Sequence, residues 1–288
     1  MKHTSKFIVI AILINISFLA VNAQETTVAE ANEVLTEKVE KKETIKKQAS
    51  SDDSWTGFYV GGFGGYSNGK ASANLSTVSG AYLGNQTVLT GIANDGAKKI
   101  NSKGFSGGGT FGYNYQKGKF FVGGETDFGV QKVNKSVGET TLFNPDFSGN
   151  NTKTITHSIE SRYLFTTRPR IGIIIKKAAV YITGGIVITN IKYKGSYTDN
   201  AEFRGGKESA EFSKSKVGGT IGSGLEFKVN KHWSVKGEYL FIQFGRTSTI
   251  GSLTVPGFAQ GDPIGSQPMT HSTDLKSHNI RFGINYRF

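Results

Sequence analysis

The last nine residues, Ile280 to Phe288, alternate without a break. Ile280, Phe282, Ile284, Tyr286 and Phe288 fall on one face of an extended strand, and Arg281, Gly283, Asn285 and Arg287 on the other. A strand half-buried in a water-soluble core also alternates. This one ends its apolar face in aromatics and carries arginines where a soluble core would carry Val or Leu. Lipid outside and a polar lumen inside produce that inversion. The stretch predicts an all-β chain that closes a transmembrane barrel with its C-terminal strand.

The start of the chain agrees. Met1 to Ala23 has the pattern of a secretory signal peptide, with Lys2 and Lys6 ahead of an apolar run from Phe7 to Ala20, and small residues at Val21-Asn22-Ala23. That run is shorter than the roughly 20 residues a helix needs to span a bilayer. Nothing later in the chain is long and apolar enough for a membrane helix, so a membrane protein built from it must be a closed barrel, which satisfies its backbone in lipid. The chain has no Cys, which excludes a disulfide framework and a lipid-modified cysteine. Residues 24–54 have no aromatic and carry Glu, Asp and Lys with a balance of −3, the composition of a flexible periplasmic tail.

From Trp55 onward, strand-like and polar stretches follow a regular rhythm. Strands are predicted at Trp55–Asn68, Lys103–Gln116, Phe120–Asn134, His157–Ile174, Ala178–Lys192, Phe212–Val229, His232–Gly245 and Lys276–Phe288. Short turns at Lys117-Gly118-Lys119, Lys176-Lys177 and Asn230-Lys231 alternate with four long polar segments. The prediction is an eight-stranded antiparallel transmembrane β-barrel with four long outer loops and three short periplasmic turns. Pro169 falls inside the fourth strand, which implies a local irregularity there. The 38 glycines suit a narrow barrel whose interior fills with side chains. Gly104 to Gly112 leads into more strand rather than a helix N-terminus, so it is no phosphate loop.

Residues 55–288 carry 27 basic and 14 acidic side chains. Their placement argues against nucleic acid. On the inward parity, Glu125, Asp127, Glu226 and Glu238 can meet Arg162, Arg168, Arg170, Lys236 and Arg281. Eight strands leave a lumen just wide enough for side chains to fill, so these charges must pair, as a plug rather than an open diffusion pore. Lys132, Lys135, Lys192, Lys194, Lys214 and Lys216 fall where strands meet the long loops, a basic rim suited to the phosphates of an outer leaflet or simply solvated.

The opening Trp55-Thr56-Gly57-Phe58-Tyr59-Val60-Gly61-Gly62-Phe63-Gly64-Gly65-Tyr66, with Phe121-Val122-Gly123-Gly124-Glu125 and the terminal Asn285-Tyr286-Arg287-Phe288, resembles small outer-membrane barrels of alphaproteobacteria. These are known as porin-family surface antigens, and the chain is most similar to the Bartonella-type hemin-binding outer-membrane proteins. The resemblance implies an outer-membrane barrel with surface-exposed loops. It also implies an assembly signal at Phe288 for the insertion machinery and, in some members, binding of hemin or host matrix proteins. Hemin offers two carboxylates and an iron that accepts His or Tyr. The outer-loop candidates are His157, His271, His278, Tyr82, Tyr193 and Tyr197. The alternatives are a structural or adhesive surface antigen contacting lipopolysaccharide or host proteins, and a narrow porin. An enzyme is not expected, since no His is seen beside a matching nucleophile and carboxylate. No cofactor or metal is required.

Overall fold

The computed structural model describes residues 54–143, 151–201, 205–257 and 266–288. The expected signal peptide and all but the end of the charged tail lie outside the described residues. The elements are β1 (Gly57–Thr77), α1 (Gln86–Gly96), β2 (Lys98–Lys117), β3 (Phe120–Leu142), β4 (Thr152–Ile175), β5 (Ala178–Asp199), β6 (Lys207–Lys228), β7 (Trp233–Thr254) and β8 (Ser266–Arg287). Each strand pairs antiparallel with the next, and β8 returns to β1 to close the barrel. At the closed end, Gly118 and Lys176 adopt the left-handed conformation that tight turns require (φ 62° and 56°). The eight strands and three short turns are those the periodicity predicts.

Every strand reaches further toward the loop end than expected. β1 runs on to Thr77 because Ala71, Ala73 and Leu75 keep alternating with Lys70, Ser72 and Asn74. The long second and third loops shrink accordingly, and the first contains α1 instead of being wholly irregular. β5, with 22 residues, is typical. At roughly 3.3 Å per residue and a tilt near 40° it rises about 55 Å, whereas the apolar band of such barrels is only about 25 Å tall. Phe58, Phe111, Phe120, Ile182, Phe282 and Ile284 point outward into that band, exposed along the turn-proximal half. Above it the outward residues become Lys, Ser, Thr and Asn.

The two halves differ in connectivity. In the turn-proximal half all eight ladders are present. The β2–β3 ladder stops at Ser106↔Gln131, and the β6–β7 ladder is interrupted from Gly218↔Phe244 up to Lys207↔Thr254. The other six continue to the top. The outer half is therefore two four-stranded sheets, β7-β8-β1-β2 and β3-β4-β5-β6, facing each other across two seams. Between them lies an apolar layer that includes Ile100, Ile159, Ile191, Tyr193, Phe212 and Phe244. A β-sandwich stands on a barrel.

Inward aromatics fit because glycines face them. A Cβ on Gly112 would collide with the Tyr59 ring, and one on Gly224 with Tyr181. Pro169 lacks an N–H, and the β4–β5 ladder skips Arg168 and Pro169 without changing register; Thr183 Oγ1 donates to the Pro169 carbonyl at 2.9 Å.

Candidate functional site

Period-two alternation aims one side chain in two from every strand into the lumen, and the lower lumen is where the charges meet. Arg168 Nη2 donates to Glu125 Oε1 at 2.8 Å and to Asp127 Oδ2 at 2.7 Å, while its Nη1 lies 3.1 Å from Glu238 Oε2. Arg170 bridges Glu125 (3.0 Å) and Glu226 (2.7 Å). Lys236 donates to both oxygens of Glu125 at 2.7 Å, and Arg281 to Asp127 at 2.8 Å. Neutral donors complete the shells: Tyr59 to Glu125 (2.7 Å), Thr110 and Thr166 to Asp127 (2.8 and 3.0 Å), and Ser234 and Asn285 to Glu226 (2.6 and 3.0 Å). Glu125, Asp127 and Glu238 place oxygens within 4.8 Å of one another, the spacing a metal ion could use. The Arg168 guanidinium already contacts all three, so a cation of the protein's own holds that position.

Eight of the nine predicted interior charges are here. Arg162 is the exception. Its side chain is 72% exposed and pairs with Glu160 on the outer wall. The β4–β5 register shifts between Ser161 and Leu164, so Arg162 and Tyr163 both face out and the parity of the strand above this point reverses. The structure adds Arg287, whose guanidinium lies 5.0 Å from the Trp55 ring and donates to the Trp55 carbonyl. Trp55, Phe121, Ala179 and Tyr181 seal the turn end of the lumen.

A second polar cluster lies above the apolar layer, outside the lipid-facing band. His157 Nε2 is 3.0 Å from the Gly96 carbonyl at the end of α1, and its Nδ1 is 2.6 Å from the Tyr193 hydroxyl. A carbonyl only accepts, so Nε2 carries the proton and Nδ1 of the neutral ring accepts from Tyr193. The Tyr193 oxygen lies 3.0 Å from His271 Nδ1, and His271 Nε2 is 2.9 Å from Glu208 Oε2. Burial, and then the nearby His271, push His157 down to about 4. Burial, and then Glu208, push the Tyr193 hydroxyl upward. Gly195, opposite His157 in the ladder, leaves the room that the His271 ring occupies.

The sequence places His157 and His271 at the outer loops. Both instead point inward from strands and are fully buried, as are Tyr193 and Tyr197. Tyr197 packs edge-on against Phe143, and Tyr82 donates to Asp199 Oδ1 at 2.6 Å. His278 faces outward against Phe241, its Nδ1 2.7 Å from the Tyr239 hydroxyl. The six are not gathered into one open loop site. The sequence also misses the His271–Glu208 pair, since nothing in the spacing of residues 208 and 271 brings them together. Beyond itself the pair contacts the Tyr193 hydroxyl and the His157 ring.

The top is closed by α1. Asn85 caps it, accepting from the Thr87 N–H at 2.8 Å, and Leu89 and Ile92 project from one face. They pack with Leu75, Leu83, Ile155, Leu253 and Met269 beneath them. Of the predicted rim residues, Lys132, Lys192 and Lys194 face outward, whereas Lys135, Lys214 and Lys216 share the inward parity, opposite Ile159, Ile191 and Thr189, and reach solvent at the open seams. They stand partway up the strands, just above the apolar band rather than at strand ends, because the strands are longer than predicted.

The family model described as outer membrane protein beta-barrel domain matches residues 45–288. The 31 kDa outer-membrane immunogenic protein of Brucella melitensis is 28% identical over 237 residues, 82% of this chain and 84% of that protein. The 22 kDa outer membrane protein of Rhizobium leguminosarum is 24% identical over 193 residues, 66% of this chain and 65% of that protein. Among solved structures, the outer membrane protein OprG from Pseudomonas aeruginosa is similar at a TM-score of 0.39 and 12% identity, covering 81% of this chain and 97% of that one.

Proposed function

Because the chain belongs to the outer membrane protein beta-barrel domain family and resides in the outer membrane of a Gram-negative bacterium, we propose that it is a non-conducting surface barrel. Its work is structural and adhesive, done by the outer head against lipopolysaccharide and host proteins. One observation carries this reading: the lumen is filled along its length. The Trp55 cluster, the paired charges, the apolar layer, the His157–Tyr193–His271–Glu208 line and the residues under α1 follow one another from bottom to top. Transport along the axis would require several of these layers to disperse, and an unpaired buried charge costs about 3–5 kcal/mol.

The test is conductance. Mature protein reconstituted in a planar bilayer should give no stepwise current above that of lipid alone. Regular unitary steps would remove the closed-lumen reading. Hemin and host-matrix binding are the finer activities raised by the resemblance to Bartonella-type proteins. Four of the six candidate hemin ligands are fully buried and the other two, Tyr82 and His278, are half-buried, which favours the adhesive reading over hemin. A hemin titration decides it: a saturable Soret shift that weakens in His278→Ala supports hemin, and a shift no larger than that of empty micelles removes it. The exposed Phe288, its ring edge-on to Tyr286, is the feature available to the insertion machinery.

A further inference from the structure

Two register shifts occur at one height in adjacent strands. The β3–β4 ladder jumps between Val130 and Val133, and the β4–β5 ladder between Ser161 and Leu164. A bulge bends its strand and re-aims a side chain, and here it turns Arg162 from the lumen to the outer wall. The irregularity is held in place from inside. Gln131 Nε2 donates to Ser161 Oγ at 3.3 Å, Ser161 Oγ lies 2.8 Å from Thr189 Oγ1, and Thr189 donates to the Tyr163 carbonyl that the bulge leaves outside the ladder. Such a carbonyl needs a partner, and this one has been given one. The bulge is a built feature.

On the outside it opens two adjoining hollows of about 350 and 210 Å³ that share Arg162 and Tyr163. Their lower edge is apolar: Phe105, Val130 and Tyr163 belong to the top of the lipid-facing band. Their upper edge is polar and mostly cationic, with Lys132, Arg162 and Lys192 around the single acid Glu160, and Asn134 and Asn190 beside them. Glu160 pairs with Arg162. Lys132 and Lys192 have no hydrogen bond or ion pair among the described residues. An apolar floor beneath surplus cations, at the level where acyl chains give way to headgroups, suits an amphiphile with an anionic head.

We propose that this notch binds the phosphate-bearing headgroup of an outer-leaflet glycolipid, with Lys132, Arg162 and Lys192 on the phosphate and Phe105, Val130 and Tyr163 against the start of an acyl chain. The proposal rests on the outer-membrane location and not on the closed lumen, so a conducting barrel would leave it standing.

The experiment uses the full mature chain folded in detergent, with native mass spectrometry and diphosphorylated lipid A as probe. One variant is Lys132→Gln/Arg162→Gln/Lys192→Gln. Its control, Lys70→Gln/Arg246→Gln/Lys276→Gln, removes three outward charges from the other sheet. Heat-modifiable gel mobility establishes that both fold. Wild type and control should each retain one lipid, and the notch variant should bind at least about tenfold more weakly. Dephosphorylated lipid A should lose a comparable share with wild type. Equal loss in both variants would reduce the effect to diffuse attraction by the basic wall and overturn the proposal. Undiminished binding in the notch variant would overturn it too. Displacement of the lipid by millimolar inorganic phosphate would make the notch a free-anion site and refute the lipid assignment.

Discussion

His157 shows how a single buried side chain makes the outer head sensitive to pH. Its neutral ring donates to the last carbonyl of α1 and accepts from Tyr193, with His271 close by. Protonation would give Nδ1 a hydrogen and turn that acceptor into a second donor. The folded state holds the group near 4, against about 6.5 in the unfolded chain. The unfolded state therefore binds more protons between those values, and stability falls as pH is lowered through that window. The full loss is about 3 kcal/mol, expected as faster hydrogen exchange in α1 at pH 4 than at pH 7 after correction for intrinsic rates. In His157→Leu that difference should largely vanish; an unchanged pH dependence would exonerate His157. At this scale the sequence is legible wherever parity runs unbroken. Alternation alone places Glu125, Asp127, Arg168, Arg170, Lys236 and Arg281 in the lumen. It fails at Arg162, because a bulge shifts parity by one without leaving a Gly or Pro as a marker. It fails again at His157, which opens the predicted fourth strand but lies beyond the bulge where parity is reversed, and at His271, which precedes the predicted start of the last strand at Lys276.

The helix and the strand extensions belong to a larger scale and were less visible. β1 beyond Asn68 still alternates, but its inward residues are Ala71, Ala73 and Leu75 and its outward ones Lys70, Ser72 and Asn74. This is the pattern of an ordinary water-exposed sheet, and it looks like a loop once lipid-facing aromatics are taken as the mark of a strand. α1 offers Leu89 and Ile92 on one face and an Asn85 cap, a weak signal in 11 residues. A helix that short is marginal alone, so its stability must come from the apolar layer it covers. Ile92, fully buried there, should report this. Ile92→Ala should weaken the cap by about 2–5 kcal/mol, the usual cost of removing a buried aliphatic side chain. Amide exchange should rise across 86–96 while heat-modifiable mobility of the barrel is unchanged. If exchange rose equally in the lower strands, the cap and barrel would form one cooperative unit and the separation drawn between them would fail.

Across the whole molecule, the change of solvent along the strands accounts for the change in architecture. In lipid an unpaired strand edge is ruinously expensive, so the lower half has all eight ladders. Above the band, water can satisfy a bare edge. There the two sheets are free to part at β2/β3 and β6/β7 and to flatten onto an apolar layer, which a round eight-stranded barrel of charged interior could not accommodate. Bare edges invite pairing with other chains, and natural sheets discourage this with charge. The edges here carry Lys98, Lys99 and Lys103 on β2, Lys132 and Lys135 on β3, Lys207, Lys214 and Lys216 on β6, and Arg246 on β7. Lys98 pairs across the first seam with Glu139, and Thr141 donates to Asp95 of α1 at 2.8 Å, so that seam is bridged. The second is bridged chiefly at its top, where Thr254 Oγ1 donates to the Lys207 carbonyl at 3.1 Å. Hydrogen exchange read residue by residue should therefore find alternate amides of 208–217 and 245–253 exchanging quickly. Their neighbours, pointing toward β5 and β8, should be protected. In the lower half of β6 and β7 both parities should be slow, since both have ladder partners. Uniform protection of 208–217 would mean that the ladder is continuous in the membrane, and that the outer half is a barrel after all.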